Sequence, residues 1–308
     1  MKKYEAFSLT IESDVELPLL RESNSLLRAD VSIRRGSLTH YKDIAQHVSK
    51  EGYFLYQGEN HVVYSTVDGA VFSVRGVDEI LYDAPQGFPL PLLAGYILGG
   101  CMGTILNWRD FLVLHASTVC RNGRSVIIMG ESGAGKSTTA REFISHGWEI
   151  MTDDVAAIRF APDGTPFVVP SYPSQKLWQD GLDRYALPED CVTPLIKEFK
   201  KEKFHVNVEN SFHNIPVKAD VIIWLKKARE DYSDPCLCEP VSGFTVADRL
   251  LRNTYRGYSR DESGKNKLFQ QCVDMSSRVS MLEVLRPANV STVSEVYRLV
   301  CREMNTPE

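Results

Sequence analysis

Gly130-Glu131-Ser132-Gly133-Ala134-Gly135-Lys136-Ser137 fits the spacing GxxxxGK[ST] at every fixed position. Glycines let successive backbone N–H groups converge on phosphate oxygens, and the N-terminus of a following helix adds about half a positive charge. The chemistry expected is binding of a nucleoside triphosphate. Lys136 reaches the β- and γ-phosphates and the Ser137 hydroxyl coordinates Mg²⁺. Gly130, Ser132, Gly133, Ala134, Gly135 and Thr138 complete the cradle. Seventeen residues after Lys136 stands a carboxylate pair, Asp153-Asp154. Two adjacent carboxylates allow two tasks: holding Mg²⁺ directly or through water, and accepting a proton from an attacking hydroxyl. A surface turn with two solvated aspartates is the plain alternative, and the spacing after the glycine loop argues against it. His115, fifteen residues before Gly130, is suited to orienting an aspartate or relaying a proton. On spacing alone, His115 reads more readily as a satisfied core or surface histidine.

These residues need elements to position them. Ser125-Val126-Ile127-Ile128-Met129 reads as a buried strand before the loop, and Lys136 to Ile144 as a helix that stops near Gly147. Trp148 to Thr152 reads as a strand ending at the aspartate pair, and Phe111 to Leu114 as a strand ending at His115, each beside the loop strand. Val155 to Phe160 and Pro166 to Pro170 flank a Pro162-Asp163-Gly164 turn, a hairpin pattern. Ala219 to Leu225 is another strand, and Phe244 to Asn253 and Ser291 to Met304 are helices. Residues 4–82 alternate in short β-rich runs, with one short helix near Tyr41 to Ser49, which suits a small antiparallel sheet. Pro85-Gln86-Gly87-Phe88-Pro89 punctuates the chain. The fold class is therefore α/β, with a β-rich N-terminal domain over 1–86 and a larger domain over 87–308.

Composition excludes several classes. The 308 residues are 43% hydrophobic and 24% charged with a net charge of −5, which argues against a chain that coats nucleic acid. The seven cysteines have no CxxC spacing and the seven histidines no HxxxH or HExxH spacing, so reduced thiols in a cytoplasmic protein without structural zinc are expected. No apolar signal region follows Met1. Leu90 to Leu106 is uncharged, but its proline and glycines favour a buried helix covering the following sheet over a membrane span. Arg249, Arg252 and Arg256, with Arg260 beyond, form a helical stripe suited either to clamping an anion or to pairing with residues such as Asp248. Lys197, Lys200, Lys201 and Lys203 alternate with glutamates as a solvated segment, and Lys176 is a further candidate to approach phosphate.

Leu114-His115, the Gly130–Ser137 loop and Asp153-Asp154 together resemble the HPr kinase/phosphorylase family, clearly over about residues 110–160 and more weakly over 90–185. The Ser-Gly within the loop is shared with phosphoenolpyruvate carboxykinases. The resemblance implies an HPr-kinase-like core, a mixed sheet with flanking helices, that uses ATP and Mg²⁺ to phosphorylate a serine hydroxyl. It further implies that His115 and Asp153 assist proton removal while Asp154 holds Mg²⁺. The chain lacks the glycine-rich LEIRGxG-type signature after the aspartate strand and the C-terminal loop linked to phosphorolysis. Pro173 to Asp180 and the opening Tyr4 to Leu20 instead resemble kinases of lasso-peptide biosynthesis, which phosphorylate the C-terminal serine of a precursor. The resemblance thus implies a peptide or small protein presenting a serine as partner, with no nucleic acid or membrane, and leaves homo-oligomerisation open.

Other classes remain as alternatives: an HPr(Ser) kinase, a small-metabolite kinase, a nucleotide-hydrolysing switch, or a catalytically dead peptide chaperone. The switch lacks support, since the chain has neither an NKxD guanine-reading motif nor an LSGGQ signature. Intact Lys136, Ser137, Asp153 and Asp154 argue against the dead chaperone.

Overall fold

The computed structural model describes all residues except 43–53, 59, 199–200, 230–231, 233, 257–260, 289 and 307–308. The fold is mixed α/β and divides into two compact units, one of residues 1–111 with 256–265, the other of 112–255 with 266–308. The expected division at residue 86 falls inside the first unit.

In the first unit, eight strands form one sheet. Tyr4, Ile11, Val31, Ile33, Val62 and Ile80 are buried from it, as the alternation of the sequence requires. The sheet is mixed rather than antiparallel. Val31–Arg35 runs parallel to both Leu9–Ser13 and Glu79–Asp83. Periodicity reports the face of a strand and not its neighbours, so this order was not readable. Thr39–Lys42 is a single helical turn, and the rest of the expected helix there lies outside the described residues, as does Tyr53.

Among the described residues, Leu90–Trp108 is the one helix long and apolar enough to cross a membrane, and 72% of its apolar window is buried inside the fold. It belongs to the first unit. Thr104 bonds the hydroxyl of Tyr64, and Tyr96 lies against Phe72. A π-helical turn interrupts it at Ile97–Cys101, where Gly99 and Gly100 fall.

The second unit is built on a six-stranded sheet in the order Glu149–Thr152, Ser117–Arg121, Arg124–Gly130, Val221–Lys227, Ser280–Arg286, Leu237–Val241. The central three strands are parallel, with Val126 opposite Val221 and Val221 opposite Ser280. Parallel strands buried on both faces read as continuous apolar runs. Val126 and Ile128 enter one core with Phe143 and Tyr297 of helices Lys136–Ser145 and Val293–Glu303. Ile127 and Met129 enter another with Leu112, Ile158 and Leu250. That second core is shared with the four-stranded sheet containing Leu112–Leu114 and the hairpin Ala156–Phe160/Pro166–Val169. A three-stranded sheet places Ser174–Trp178 against Lys201–Asn207.

Two neighbour assignments are corrected. The aspartate strand Glu149–Thr152 is separated from the loop strand by Ser117–Arg121. His115 lies between two strands, because Leu112–Leu114 pairs in the four-stranded sheet and the chain enters the central sheet only at Ser117.

Candidate active site

The loop between strand Arg124–Gly130 and helix Lys136–Ser145 depends on glycine at its two ends. Gly130 has φ +148°, and a Cβ there would lie 2.5 Å from the Leu225 carbonyl oxygen of the neighbouring parallel strand. Gly135 caps the helix at φ +98°. Lys136, 8% exposed, donates to the carbonyls of Gly130 at 3.0 Å and Glu131 at 3.3 Å. Burial pushes its ammonium pKa down, opposed by the charges of Asp154 and Asp153.

The aspartate pair follows strand Glu149–Thr152, and the two carboxylates face different partners. Asp153 is 4% exposed. It accepts from the Ser117 hydroxyl at 2.5 Å and from the Lys176 backbone N–H at 2.7 Å. Burial raises its pKa, while those two donors and the Ser137 hydroxyl pull against the rise. Asp154 takes φ +73°, a left-handed conformation tolerated by aspartate, and this turns its side chain to different partners. Its carboxylate pairs with the Lys176 ammonium at 2.7 Å and His115 Nδ1 at 3.2 Å. Burial alone would raise the Asp154 pKa, but Lys176 and His115 outweigh it and hold it well below the usual range. Lys176, which burial would push down, is raised by Asp154 and stays charged.

His115 is fixed at its backbone. Its N–H donates to the Asn253 carbonyl at 2.9 Å, and the Asn253 side-chain amide donates to its carbonyl at 2.8 Å. Its ring stacks on Tyr255 at 6.0 Å. The expectation that His115 steers Asp153 is corrected: its ring is on Asp154.

A cavity of about 520 Å³ opens over these groups, lined by His115, Ser117, Asp154 and Lys176 as well as Ser132, Gly133 and Gly135–Thr138 of the loop. The expected residues Gly130, Ala134 and Asp153 lie behind its wall.

Several residues of the site escaped sequence reading. Gln175, fully buried, donates its amide to the Ser137 carbonyl at 2.9 Å, and its Oε1 has no hydrogen-bond partner among the described residues. Arg286 donates through Nη2 and Nε to the Ala134 carbonyl at 2.6 and 3.2 Å and lines the cavity. Lys203 and Lys227 line it too, although Lys203 was read as merely solvated. Lys203 rests over the Trp178 ring at 5.4 Å. Pro173 to Asp180 was singled out only for its resemblance, and nothing local marked Gln175 or Arg286 as reaching the loop.

The arginine stripe does not form a clamp. Arg249 pairs with Glu283 and lies over Trp224, and Arg252 pairs with Asp248 at 2.8 Å. Arg256 follows the helix end and packs over Tyr64, and Arg260 lies outside the described residues.

No protein-family model matches the chain. It is similar to the HPr kinase/phosphorylase of Lachnoclostridium phytofermentans, 42% identical over 69 residues, 21% of this chain and 22% of that protein. It is similar to the HPr kinase/phosphorylase of Clostridium botulinum (strain Eklund 17B / Type B), 48% identical over 52 residues, 17% of each chain. These matches span about a fifth of the length of the curated relatives. Among solved structures, the HPr(Ser) kinase/phosphatase from Coxiella burnetii is 14% identical with a TM-score of 0.31, covering 62% of this chain and 98% of that one. Over the matched segment the chain is HPr kinase-like.

Proposed function

We propose that this protein is an ATP- and Mg²⁺-dependent kinase that transfers the γ-phosphate to a serine hydroxyl of a peptide or small protein. The observation that carries the reading is one cavity holding both the phosphate loop and a carboxylate fixed by His115 and Lys176. A phosphate cradle alone serves any nucleotide site. A pre-oriented carboxylate beside it supplies an acceptor for the proton that a hydroxyl must lose. Similarity of a segment to HPr kinase/phosphorylases supports the same class.

The residues fit a magnesium ion. Hydroxyl and carboxylate oxygens are the donors Mg²⁺ prefers, and the Ser137 hydroxyl and Asp153 carboxylate stand close enough to influence one another. Bound there, the ion would neutralise charge on the β- and γ-phosphates. Lys136 and the backbone amides of the loop bind and orient the triphosphate. Asp154, oriented by His115, accepts the proton from the serine oxygen as that oxygen attacks the γ-phosphorus and the bond to the β-phosphate oxygen breaks. Asp153 thus takes the metal side, next to the Ser137 hydroxyl, and Asp154 the proton, the reverse of the sequence expectation, because Asp154 faces the cavity between His115 and Lys176. Lys176 holds Asp154 in place. Arg286 braces the loop through Ala134 and adds positive charge where phosphate negative charge gathers. Positioning and charge stabilisation supply most of the acceleration.

The acceptor we infer is the C-terminal serine of a lasso-peptide precursor. Support comes from the resemblance of Tyr4 to Leu20 and Pro173 to Asp180 to those kinases and from the missing HPr-kinase signatures. A cytoplasmic location accords with seven cysteines that form no disulfide among the described residues. The test is mass spectrometry of Mg²⁺-ATP reactions with precursor peptides, HPr and a metabolite pool. Phosphate on a peptide serine is expected. Phosphate on HPr alone would overturn the peptide acceptor, and phosphate on a metabolite alone would overturn both protein readings.

A further inference from the structure

We propose that Cys120, Glu149 and His213 form a zinc site at the outer edge of the central sheet, separate from the nucleotide cavity. Three elements bring the residues together. Cys120 and Glu149 are direct partners in the antiparallel pairing of Ser117–Arg121 with Glu149–Thr152. The following chain returns at Phe212, which bridges to Ile150, and the His213 N–H donates to the Ile150 carbonyl at 2.9 Å. One ligand atom from each of the three residues lies within 4.8 Å of the others, and His213 Nδ1 stands 3.0 Å from Glu149 Oε2.

The donor set is selective. A thiolate, an imidazole and a carboxylate this close together suit Zn²⁺ better than Mg²⁺ or Ca²⁺, which take oxygen ligands. The environment has the right asymmetry. Cys120 is 2% exposed and sits in the core, whereas the side chains of His213 and Glu149 are 25% and 50% exposed. The sulfur is thus fixed from inside and the metal enters from the solvent side.

A divalent cation would neutralise Glu149 and take the Cys120 sulfur as thiolate, with one proton leaving to solvent, while His213 binds through a neutral ring nitrogen. Two positive charges then meet one thiolate and one carboxylate, so the site closes without net charge.

The consequence is structural. Glu149–Thr152 is the outermost strand of its sheet, and the metal would pin the Phe212–His213 segment over that edge. Ser117 lies three residues from Cys120 on the same strand, about 10 Å along it, and Asp153 follows the partner strand. The clip would therefore brace the strand pair that carries the Ser117–Asp153 hydrogen bond from its opposite end.

The experiment uses the full chain, freed of metal by a chelator and titrated with Zn²⁺ against a chromophoric competitor. A parallel Co²⁺ titration follows sulfur-to-cobalt charge-transfer absorption. One equivalent of Zn²⁺ and a charge-transfer band are expected. Cys120→Ser should abolish the band. His213→Gln should weaken Zn²⁺ by more than the roughly 10–100-fold that changes around a ligand shell cost. His213 is partly exposed, so its variant remains informative if the Cys120 variant misfolds. Absence of saturable binding, or a band and stoichiometry unchanged in both variants, would overturn the site and leave a Glu149–His213 ion pair beside a core thiol. Neither readout depends on phosphotransfer, so failure here is distinct from failure of the kinase reading.

Discussion

At the scale of single residues, the division of labour between the two aspartates is the sharpest consequence of the geometry. Asp154→Asn should keep nucleotide affinity and lose phosphotransfer, whereas Asp153→Asn should raise the Mg²⁺ concentration needed for half activity. Nucleotide affinity by calorimetry and initial rates across a Mg²⁺ series separate the two; matched behaviour of the variants would remove the division. Protonation gives a second handle. Asp153 has a raised folded pKa through burial, so its ionised form is lost as pH falls through a value above the ordinary carboxylate one. Asp154 is depressed and stays ionised through that window. The acid limb of kcat/KM therefore reports Asp153. Ser117 donates to its charged form, and such bonds are worth about 1.5–3 kcal/mol, or roughly one to two pH units. Ser117→Ala should move the acid limb upward by about that amount, and an unmoved limb would assign it to another group. Lys136→Ala should weaken ATP binding and transfer together, because the ammonium serves bound nucleotide and transition state alike.

At the scale of elements, the loop is held by strands as much as by its own glycines. Gly130→Ala places a methyl against the Leu225 carbonyl in a conformation that costs a residue with Cβ about 1–3 kcal/mol before any clash. A melting midpoint lowered by roughly 5 °C or more is expected, with loss of ATP binding, and an unchanged midpoint would show that the strands yield freely. Arg286 braces the loop from the end of strand Ser280–Arg286. Its fork donates from two nitrogens, which lysine cannot copy, so Arg286→Lys should lose activity nearly as fully as Arg286→Ala. Full rescue by lysine would reduce its role to charge. The same contrast explains what sequence revealed. The glycine loop, its strand and its helix were legible because their chemistry is local: backbone conformation, a lysine and a hydroxyl within eight residues. Arg286 was not, because parallel pairing with Val221–Lys227 brings it from far along the chain. Its strand was missed as well, since the half-buried Glu283, which pairs with Arg249, interrupts the apolar run. His115 was legible as a candidate, but its partner was not, because a left-handed turn at Asp154 decides which aspartate it meets.

At the scale of the molecule, charge is distributed against its total. The chain carries a net −5, yet the cavity is lined by Lys136, Lys176, Lys203, Lys227 and Arg286 against Asp154 and Asp180. Burial is the main cause of the lowered Lys136 pKa, and the charge of Lys203 adds to it, so the cationic fields overlap inside the cavity. A concave site of one sign concentrates counter-charged ligands even on an acidic protein. Raising ionic strength from about 0.1 M to 1 M shortens the screening length from about 10 Å to about 3 Å. Lys227 is exposed and acts through solvent, so it should be screened first, whereas Lys176 is half-buried and paired with Asp154 and should be screened much less. Nucleotide KM should therefore rise several-fold with salt while kcat stays within about twofold, since the groups at the reacting atoms are desolvated. Lys227→Gln should show a raised KM at low salt and a flatter salt dependence, converging on the parent chain at high salt. Steady-state kinetics across the salt series would decide it. A kcat that collapses in step with a constant KM would mean that salt acts on the fold or on the proton transfer, and that the cationic lining does not gather the triphosphate.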